Sequence, residues 1–390
     1  MAKTISPPPL LAIVSYLDGN GPTGVETHFL AVERLASDKG IDVLRIHPHG
    51  ARSFAAIIQK LLRKTVGKFV GLEKRFLIDQ RFNALVIRSR VKALLRVARG
   101  RELTFYAQDS LSSAIVARER YATSARLVKV VHFNHSEAEE LVERGRTRPG
   151  GKLWNVTRER ESASLDAADA IVFVSDYMKK HVLHRAAHLM GKSHLVYNFL
   201  ESDPASPAPV PERDLIAIGT LEPRKNQSLL LDILAACTKL GHGYTLTIVG
   251  DGLDRQALEA KAVALGLSDA VHFAGHRTSA HLLIPSHRAL IHTSRIENLP
   301  IALIEGLAHG RLVFALPVGG IPEIIDNGRQ GSFLSEDALA SAQTIVNVLE
   351  DPAMEASMQT AARARYRERF STNAIAPVLL KILFPNSLYS

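Results

Sequence analysis

Cysteine is nearly absent from this 390-residue sequence: Cys237 stands alone, which excludes an internal disulfide and a multi-cysteine zinc site. Tryptophan also occurs once, aromatics make up 6% of the chain, and no aromatic-interleaved RNA motif or zinc-finger spacing is present. Nucleic acid is therefore not an expected partner. Long apolar runs are missing too. The run Leu10 to Val14 falls far short of the roughly 20 residues that a membrane-spanning helix needs. It follows Pro7-Pro8-Pro9 without a basic start or a small-residue cleavage site, so it reads as a first buried strand and not as a secretory signal. No Asp-x-Asp stands at a strand end, and no metal or other cofactor is expected. Scarce cysteine fits a reducing compartment, and a cytoplasmic location is expected.

What is present is an ordinary globular composition, 46% hydrophobic and 22% charged. At about 150 residues per domain the length suggests two or three domains. The net charge of +9 is unevenly spread. Residues 1–200 hold 32 Lys and Arg against 19 Asp and Glu (32 − 19 = +13), and residues 201–390 hold 16 against 20 (16 − 20 = −4). Most of the excess lies in residues 51–101, with 14 basic residues against Glu73 and Asp79. There Leu61, Leu62, Phe69, Leu72, Phe76 and Leu77 recur at helical spacing, with Arg63, Lys64, Lys68, Lys74 and Arg75 between them. A basic amphipathic surface of this kind suits anionic lipid headgroups, so peripheral contact with an anionic membrane is expected.

Short β-rich runs alternate with helical stretches. Strands are expected at 10–16, 41–46, 103–107, 127–133, 170–174 and 194–197. A proline-rich stretch from Asp203 to Pro211 then marks a domain boundary. Further strands are expected at 214–219, 244–249, 270–274, 289–292 and 311–316. Alternation in both halves predicts an α/β protein with two doubly wound parallel sheets, each covered by helices. Ligands of such sheets sit beyond the carboxyl ends of the strands.

The second half concentrates chemistry at those strand ends. Gly219-Thr220-Leu221-Glu222-Pro223-Arg224-Lys225 follows a strand and precedes a helix, which sets Lys225 near a helix N-terminus that already favours an anion. Gly250-Asp251-Gly252 is a second glycine turn. The backbone around Gly275, followed by His276 and Arg277, suits a nucleobase edge, and Arg277 a phosphate. In Arg295-Ile296-Glu297-Asn298-Leu299-Pro300, Asn298 is a good N-cap and Pro300 a good first-turn residue. Glu297 is thus expected in the loop before a helix and Glu305 within its second turn. The first suits sugar hydroxyls and the second a ribose diol. Gly319-Gly320 offers bare amides at a fifth strand end.

The ordered set Gly219-x-Leu221-x-x-x-Lys225, Val249-Gly250-Asp251-Gly252, Phe273-x-Gly275, Glu297-x7-Glu305 and Gly319-Gly320-x-Pro322-Glu323 resembles the nucleotide-sugar half of the retaining glycosyltransferases of family 4. The first half is similar to that family at Gly19-Asn20-Gly21-Pro22-Thr23-Gly24, at Val131-His132-Phe133-Asn134-His135, and at Val196-Tyr197-Asn198. The family's glycine after that asparagine is Phe199 here.

That resemblance implies the GT-B fold, two Rossmann-like domains facing a cleft. The expected division is residues 1–203 and 204–369, with a last helix at about 370–390 packing back on the first domain. It implies hexosyl transfer, with retention and without a metal, from a UDP- or GDP-linked sugar to the hydroxyl of a saccharide or lipid-linked acceptor, as in surface polysaccharide or glycolipid assembly. A nucleotide-sugar epimerase of the same fold and a non-catalytic nucleotide-sugar or polyanion binder are the alternatives. Lys225 would bind the diphosphate, Glu297 the transferred sugar and Glu305 the ribose. Thr220, Arg224, Gly250, Gly275, His276, Arg277, Asn298, Leu299, Gly319 and Gly320 would complete the donor site. The amides at Gly24 would approach donor and acceptor, and His132 would stand near the sugar, with His135 as its alternative. Where the family carries an arginine to pair with Lys225, this chain has Thr220, and Arg224, Arg277 or Arg295 is left to substitute.

Overall fold

A computed structural model describes residues 7–19, 21, 23–49, 71–200 and 209–386. The chain divides into two units, one of residues 1–196 and 376–390, the other of residues 197–375.

The first unit is built on a six-stranded parallel sheet in the order β2-β1-β3-β4-β5-β6. Its strands are β1 (Leu10–Val14), β2 (Asp42–Ile46), β3 (Leu103–Ala107), β4 (Arg126–Val131), β5 (Ala170–Phe173) and β6 (Ser193–Leu195). Every residue of β1, β3 and β5 is buried, as expected of inner strands covered on both faces. The helix Leu72–Val97 packs on this core through Ile87, Val91 and Leu94. The expected amphipathic stretch is thus realised from residue 72 onward, and Leu61, Leu62, Arg63, Lys64, Lys68 and Phe69 lie outside the described residues.

The second unit repeats the plan, with strand order β12-β11-β10-β7-β8-β9, all parallel. Its strands are β7 (Arg213–Ile218), β8 (Leu246–Val249), β9 (Val271–Gly275), β10 (His287–His292), β11 (Leu312–Ala315) and β12 (Gly331–Phe333). The helix Gln227–Lys239 joins β7 to β8 and buries Leu229, Leu230, Leu231, Ile233 and Leu234. Each such side chain contributes about 1.5–3 kcal/mol, so this helix is fixed by burial well beyond its local propensity. Cys237 is buried in the same core, and desolvation pushes its thiol up to about 11.

All eleven expected strands are present; the short edge strand β12 was not expected. The division between units falls at Val196/Tyr197, ahead of the proline stretch and not at 203/204. The cause is hydrogen bonding: Asn198 Nδ2 donates to the Leu299 carbonyl at 2.9 Å, and the Tyr197 hydroxyl accepts from Arg369. The second crossing, at 375/376, lies inside the helix Thr372–Leu383. The end of that helix is tied to the first unit, where Thr104 Oγ1 donates to the Leu383 carbonyl at 2.7 Å and Arg126 Nε to that of Ile382 at 3.0 Å.

In each sheet the chain reverses direction across one strand pair, β1/β3 in the first and β7/β10 in the second. A crevice opens beyond the carboxyl ends at such a point, and ligands of open α/β sheets bind there.

Candidate active site

At the β7/β10 switch point, Gly219 follows β7, and its N–H donates to the Val249 carbonyl at 2.9 Å. Gly250, at the end of the next strand, allows this approach: a Cβ on it would stand 1.9 Å from the Gly219 carbonyl oxygen. The chain then makes a 3-10 turn, Pro223–Lys225. Asn226 follows in the left-handed region (φ 52°, ψ 38°), and the helix begins at Gln227. Two bonds from the segment after β10 hold this turn. Thr293 Oγ1 donates to the Asn226 carbonyl at 2.9 Å, and the Arg295 N–H to the Arg224 carbonyl at 3.0 Å. Parallel pairing of β7 with β10 thereby brings residues 225 and 297 together.

Lys225 Nζ donates to Glu297 Oε1. His292, the last residue of β10, places Nε2 3.1 Å from the same oxygen. Arg224 lies beside them, with Nη1 3.9 Å from Oε1 and Nη2 2.7 Å from Glu222 Oε1. Glu297 is 7% exposed and His292 5%. Burial alone would raise the Glu297 carboxyl, but the Lys225 ammonium and the His292 hydrogen bond outweigh it and hold the group far below the ordinary carboxylate range. Burial lowers His292 from its ordinary 6.5, against the pull of Glu297. A carboxylate only accepts, so the neutral ring donates from Nε2.

Gly219, Lys225, Gln227, His292, Thr293 and Ser294 line a hollow here. Buried Gln227 Oε1 and Ser294 Oγ have no hydrogen-bond partner among the described residues, while Gln227 Nε2 donates to the Thr220 carbonyl at 2.8 Å. The hollow therefore combines a cation, Lys225, with unsatisfied polar atoms, while the Glu297 carboxylate beside it is bonded to that cation.

The expected helix after Glu297 forms later than anticipated. It runs Ile301–Ala308 with Pro300 in the capping position and no side-chain cap bond. Asn298 is not the N-cap. Its carbonyl instead accepts from the Gly320 N–H at 2.9 Å, which draws the 298–300 segment toward the loop after β11. Gly319 sits in that loop at φ 56°, where a Cβ would lie 1.6 Å from the Glu297 carbonyl oxygen. Glu305 stands in the second turn of the helix, partly buried, and its carboxylate has no partner among the described residues. Burial pushes it up to about 7. Gly275 closes β9, and its carbonyl accepts from the Gly250 N–H at 2.9 Å. His276 and Arg277 are exposed beyond it, Arg277 Nε donating to the Ala274 carbonyl at 3.2 Å. Arg295, 3.3 Å from Glu336, is more than half exposed. Of the three arginines left to substitute at Thr220, Arg224 is the one beside Lys225 and Glu297.

In the first unit, Gly24 opens the helix Gly24–Asp38, capped by Thr23. The Glu26 carboxylate accepts from the Gly19 and Gly21 N–H groups at 3.0 Å each and from Thr23 Oγ1 at 2.8 Å. This is a capping box extended into the preceding loop. His132, just past β4, places Nε2 2.9 Å from Gln108 Oε1 and meets the His28 ring edge-on at 4.9 Å. Burial holds it well below 6.5. His28 in turn lies 2.8 Å from the Tyr106 hydroxyl. His135 lies instead near His181, with ring centroids 5.8 Å apart. The two histidines thus serve different neighbourhoods, and His132 is the one joined to the end of β3 at the switch point.

His292 and His28 were not anticipated. Neither carries a local signal, because each becomes significant only through strands distant in sequence.

Two parallel-sheet α/β units of this topology define the GT-B class. Anabaena HepE, solved in complex with UDP and glucose, has this fold (TM-score 0.67, 17% identity, 96% of this chain and 98% of that one). Residues 198–365 match the family described as glycosyl transferases group 1. Over 172 residues the chain is 28% identical to a glycogen synthase of Mycobacterium tuberculosis, covering 43% of this chain and 42% of that protein. It is 26% identical over 243 residues to the same organism's GDP-mannose-dependent alpha-(1-6)-phosphatidylinositol monomannoside mannosyltransferase, covering 56% and 62%. The chain thus spans about half the length of these curated relatives.

Proposed function

We propose that this protein is a retaining, metal-independent hexosyltransferase of the family 4 type. It would move a sugar from a UDP- or GDP-linked donor to a hydroxyl of a saccharide or lipid-linked acceptor. The observation that carries this reading is the convergence of Lys225, Glu297 and Arg224 at the β7/β10 switch point, inside the segment that matches the glycosyl transferases group 1 family. Breaking the glycosyl–phosphate bond leaves negative charge on the diphosphate and oxocarbenium character on the sugar. The Lys225 ammonium and Arg224 guanidinium answer the first, already in place before the charge appears. The Glu297 carboxylate, held ionised, answers the sugar and its hydroxyls. In front-face attack the departing phosphate oxygen takes the acceptor's proton, so Glu297 needs no proton of its own. That agrees with its depressed titration.

Support for an acceptor at a membrane comes from the helix Leu72–Val97, which leaves Lys74, Arg75, Arg81 and Arg96 exposed, along with Leu72 and Leu85. Among the described residues no helix is long and apolar enough to cross a membrane. The contact proposed is a peripheral one, on the cytoplasmic face.

The test is product formation from UDP- and GDP-sugars by the purified chain, following the anomeric configuration by NMR. Turnover with retention, lost in Lys225→Ala and Glu297→Ala, supports the reading. An inverted product, or a sugar epimerised with no acceptor present, sinks it.

A further inference from the structure

Glu297 is held by one group more than the donor site needs. Its Oε1 accepts from Lys225 Nζ and lies 3.1 Å from His292 Nε2, while Oε2 has no protein partner among the described residues. Lys225 is also the cation that a donor diphosphate would claim. Once it turns to the phosphate, a nearly buried carboxylate loses its main counter-charge and half of what orients it. His292 has no such competing duty. It ends β10, pairs in register with Ala315 of β11, and is 5% exposed, so its ring is set by the sheet.

We propose that His292 is a positioning residue: its Nε2–H keeps Glu297 Oε1 in place while Lys225 passes to the donor diphosphate, so that Oε2 stays presented to the transferred sugar. The proposal rests on the hexosyl-transfer reading. The charged groups around the ring are Glu297, which favours its protonation, and Lys225 and Arg224, which oppose it. A neutral ring donating from Nε2 suits the task, because a charged one would compete with the sugar's developing positive charge for the carboxylate.

Two measurements test this. The first is a kinetic cycle of His292→Ala and Glu297→Gln, with thermal melts confirming that each variant folds. His292→Ala should lower kcat about 10–100-fold, the worth of one hydrogen bond to a charged group. The donor KM should stay within about threefold, because uniform binding is not what is lost. In the Glu297→Gln background, where Nε2–H meets a neutral amide oxygen, the same change should cost clearly less than in wild type. His292→Gln, whose amide can donate from a similar position, should recover most of the rate. An equal loss in both backgrounds, or no recovery with glutamine, overturns the proposal. The second is the NMR titration of His292 without donor. Glu297→Gln should lower its midpoint and Lys225→Ala should raise it, and an unmoved midpoint in Glu297→Gln overturns the link. Wild-type protein that transfers no sugar while the midpoint still moves sinks the transfer reading and this role with it. Turnover with an additive cycle sinks this role alone.

Discussion

Lys225 and Glu297 meet across the β7/β10 switch point, Nζ donating to Oε1, although 72 residues separate them in the chain. The pair is nearly enclosed, its side chains 16% and 8% exposed. The ammonium and the carboxylate neutralise each other here, and under the proposed function a ligand bearing both a diphosphate and a sugar would satisfy both at once.

Removing either partner should therefore cost more than removing both. Glu297→Gln leaves an ammonium buried beside Arg224, and Lys225→Met leaves a carboxylate with His292 and a more distant guanidinium. Each single change should destabilise by about 3–5 kcal/mol and the double variant by clearly less, since an unpaired buried charge is the dominant cost. Urea melts at pH 7 measure this. Equal and additive losses would show that the pair is not coupled in solution.

Glu305 gives a pH signature of opposite sign to that of Glu297. Its carboxyl is raised by burial from 4.5 to about 7, so the folded state binds more protons than the unfolded one between those values. Stability contributed by the protonated form is then lost as pH rises from 4.5 to about 7. Glu305→Gln should be more stable than wild type at pH 8, by on the order of 3 kcal/mol, and no more stable at pH 4. If the ionised carboxylate takes the ribose diol, donor affinity should also rise with pH through that window in wild type and be flat in the variant. Melts and calorimetric titrations from pH 4 to 8 decide both points.

The sheets were legible because buried parallel strands are continuous apolar runs, as in Leu10-Leu11-Ala12-Ile13-Val14, and glycine turns punctuate their ends. The strand β12 was not, being three residues, Gly331-Ser332-Phe333, with no apolar run; it exists because β11 offers it an edge. Asn298 carried a strong local preference for capping, and a tertiary bond from Gly320 overrode it. Lys225, Glu297 and Glu305 could be singled out by type and spacing. His292 could not, since a histidine closing a strand looks the same whether or not a carboxylate from the next loop folds onto it.

Under the proposed function, Arg224, with Nη1 3.9 Å from Glu297 Oε1, would supply the second cation that Thr220 does not. Its guanidinium is part-buried and shared between Glu222 and the Ile296 carbonyl. Arg224→Ala should weaken binding of the nucleoside diphosphate about tenfold or more, as loss of a charge-assisted hydrogen bond does. Thr220→Arg in that background should recover part of it. Calorimetry with UDP and GDP is the measurement. Unchanged affinity in Arg224→Ala, with Arg277→Ala impaired instead, would reassign the role.

The basic helix Leu72–Val97 predicts binding to vesicles containing anionic lipid over neutral ones at low salt, fading as salt shortens the screening length. Sedimentation with the two vesicle types at about 0.02 M and 0.5 M salt measures it. Charge reversal at Lys74, Arg75 and Arg81, all exposed, should abolish the difference and leave the melting temperature near wild type. Equal binding to both vesicle types would remove the membrane from the proposal.

Gly319 tests how tightly the loop after β11 is fitted to the backbone of Glu297. At φ 56° an alanine is strained, and its Cβ would lie 1.6 Å from the Glu297 carbonyl oxygen, so the Glu297 backbone must move. Gly328 is the matched control, with φ 76° and nothing within 4 Å of where a Cβ would stand, so that Gly328→Ala carries the left-handed strain alone. That variant should lose roughly 1 kcal/mol of stability and keep its turnover. Gly319→Ala should lose several kcal/mol if the loop holds its place, or give way and carry Glu297 off its geometry. In the second case transfer falls about 100-fold, as expected for displacement by about 1 Å. Melts and kcat for the two variants side by side distinguish these results, and identical behaviour of the pair would mean that residues 297 and 319 are not in contact in the working protein.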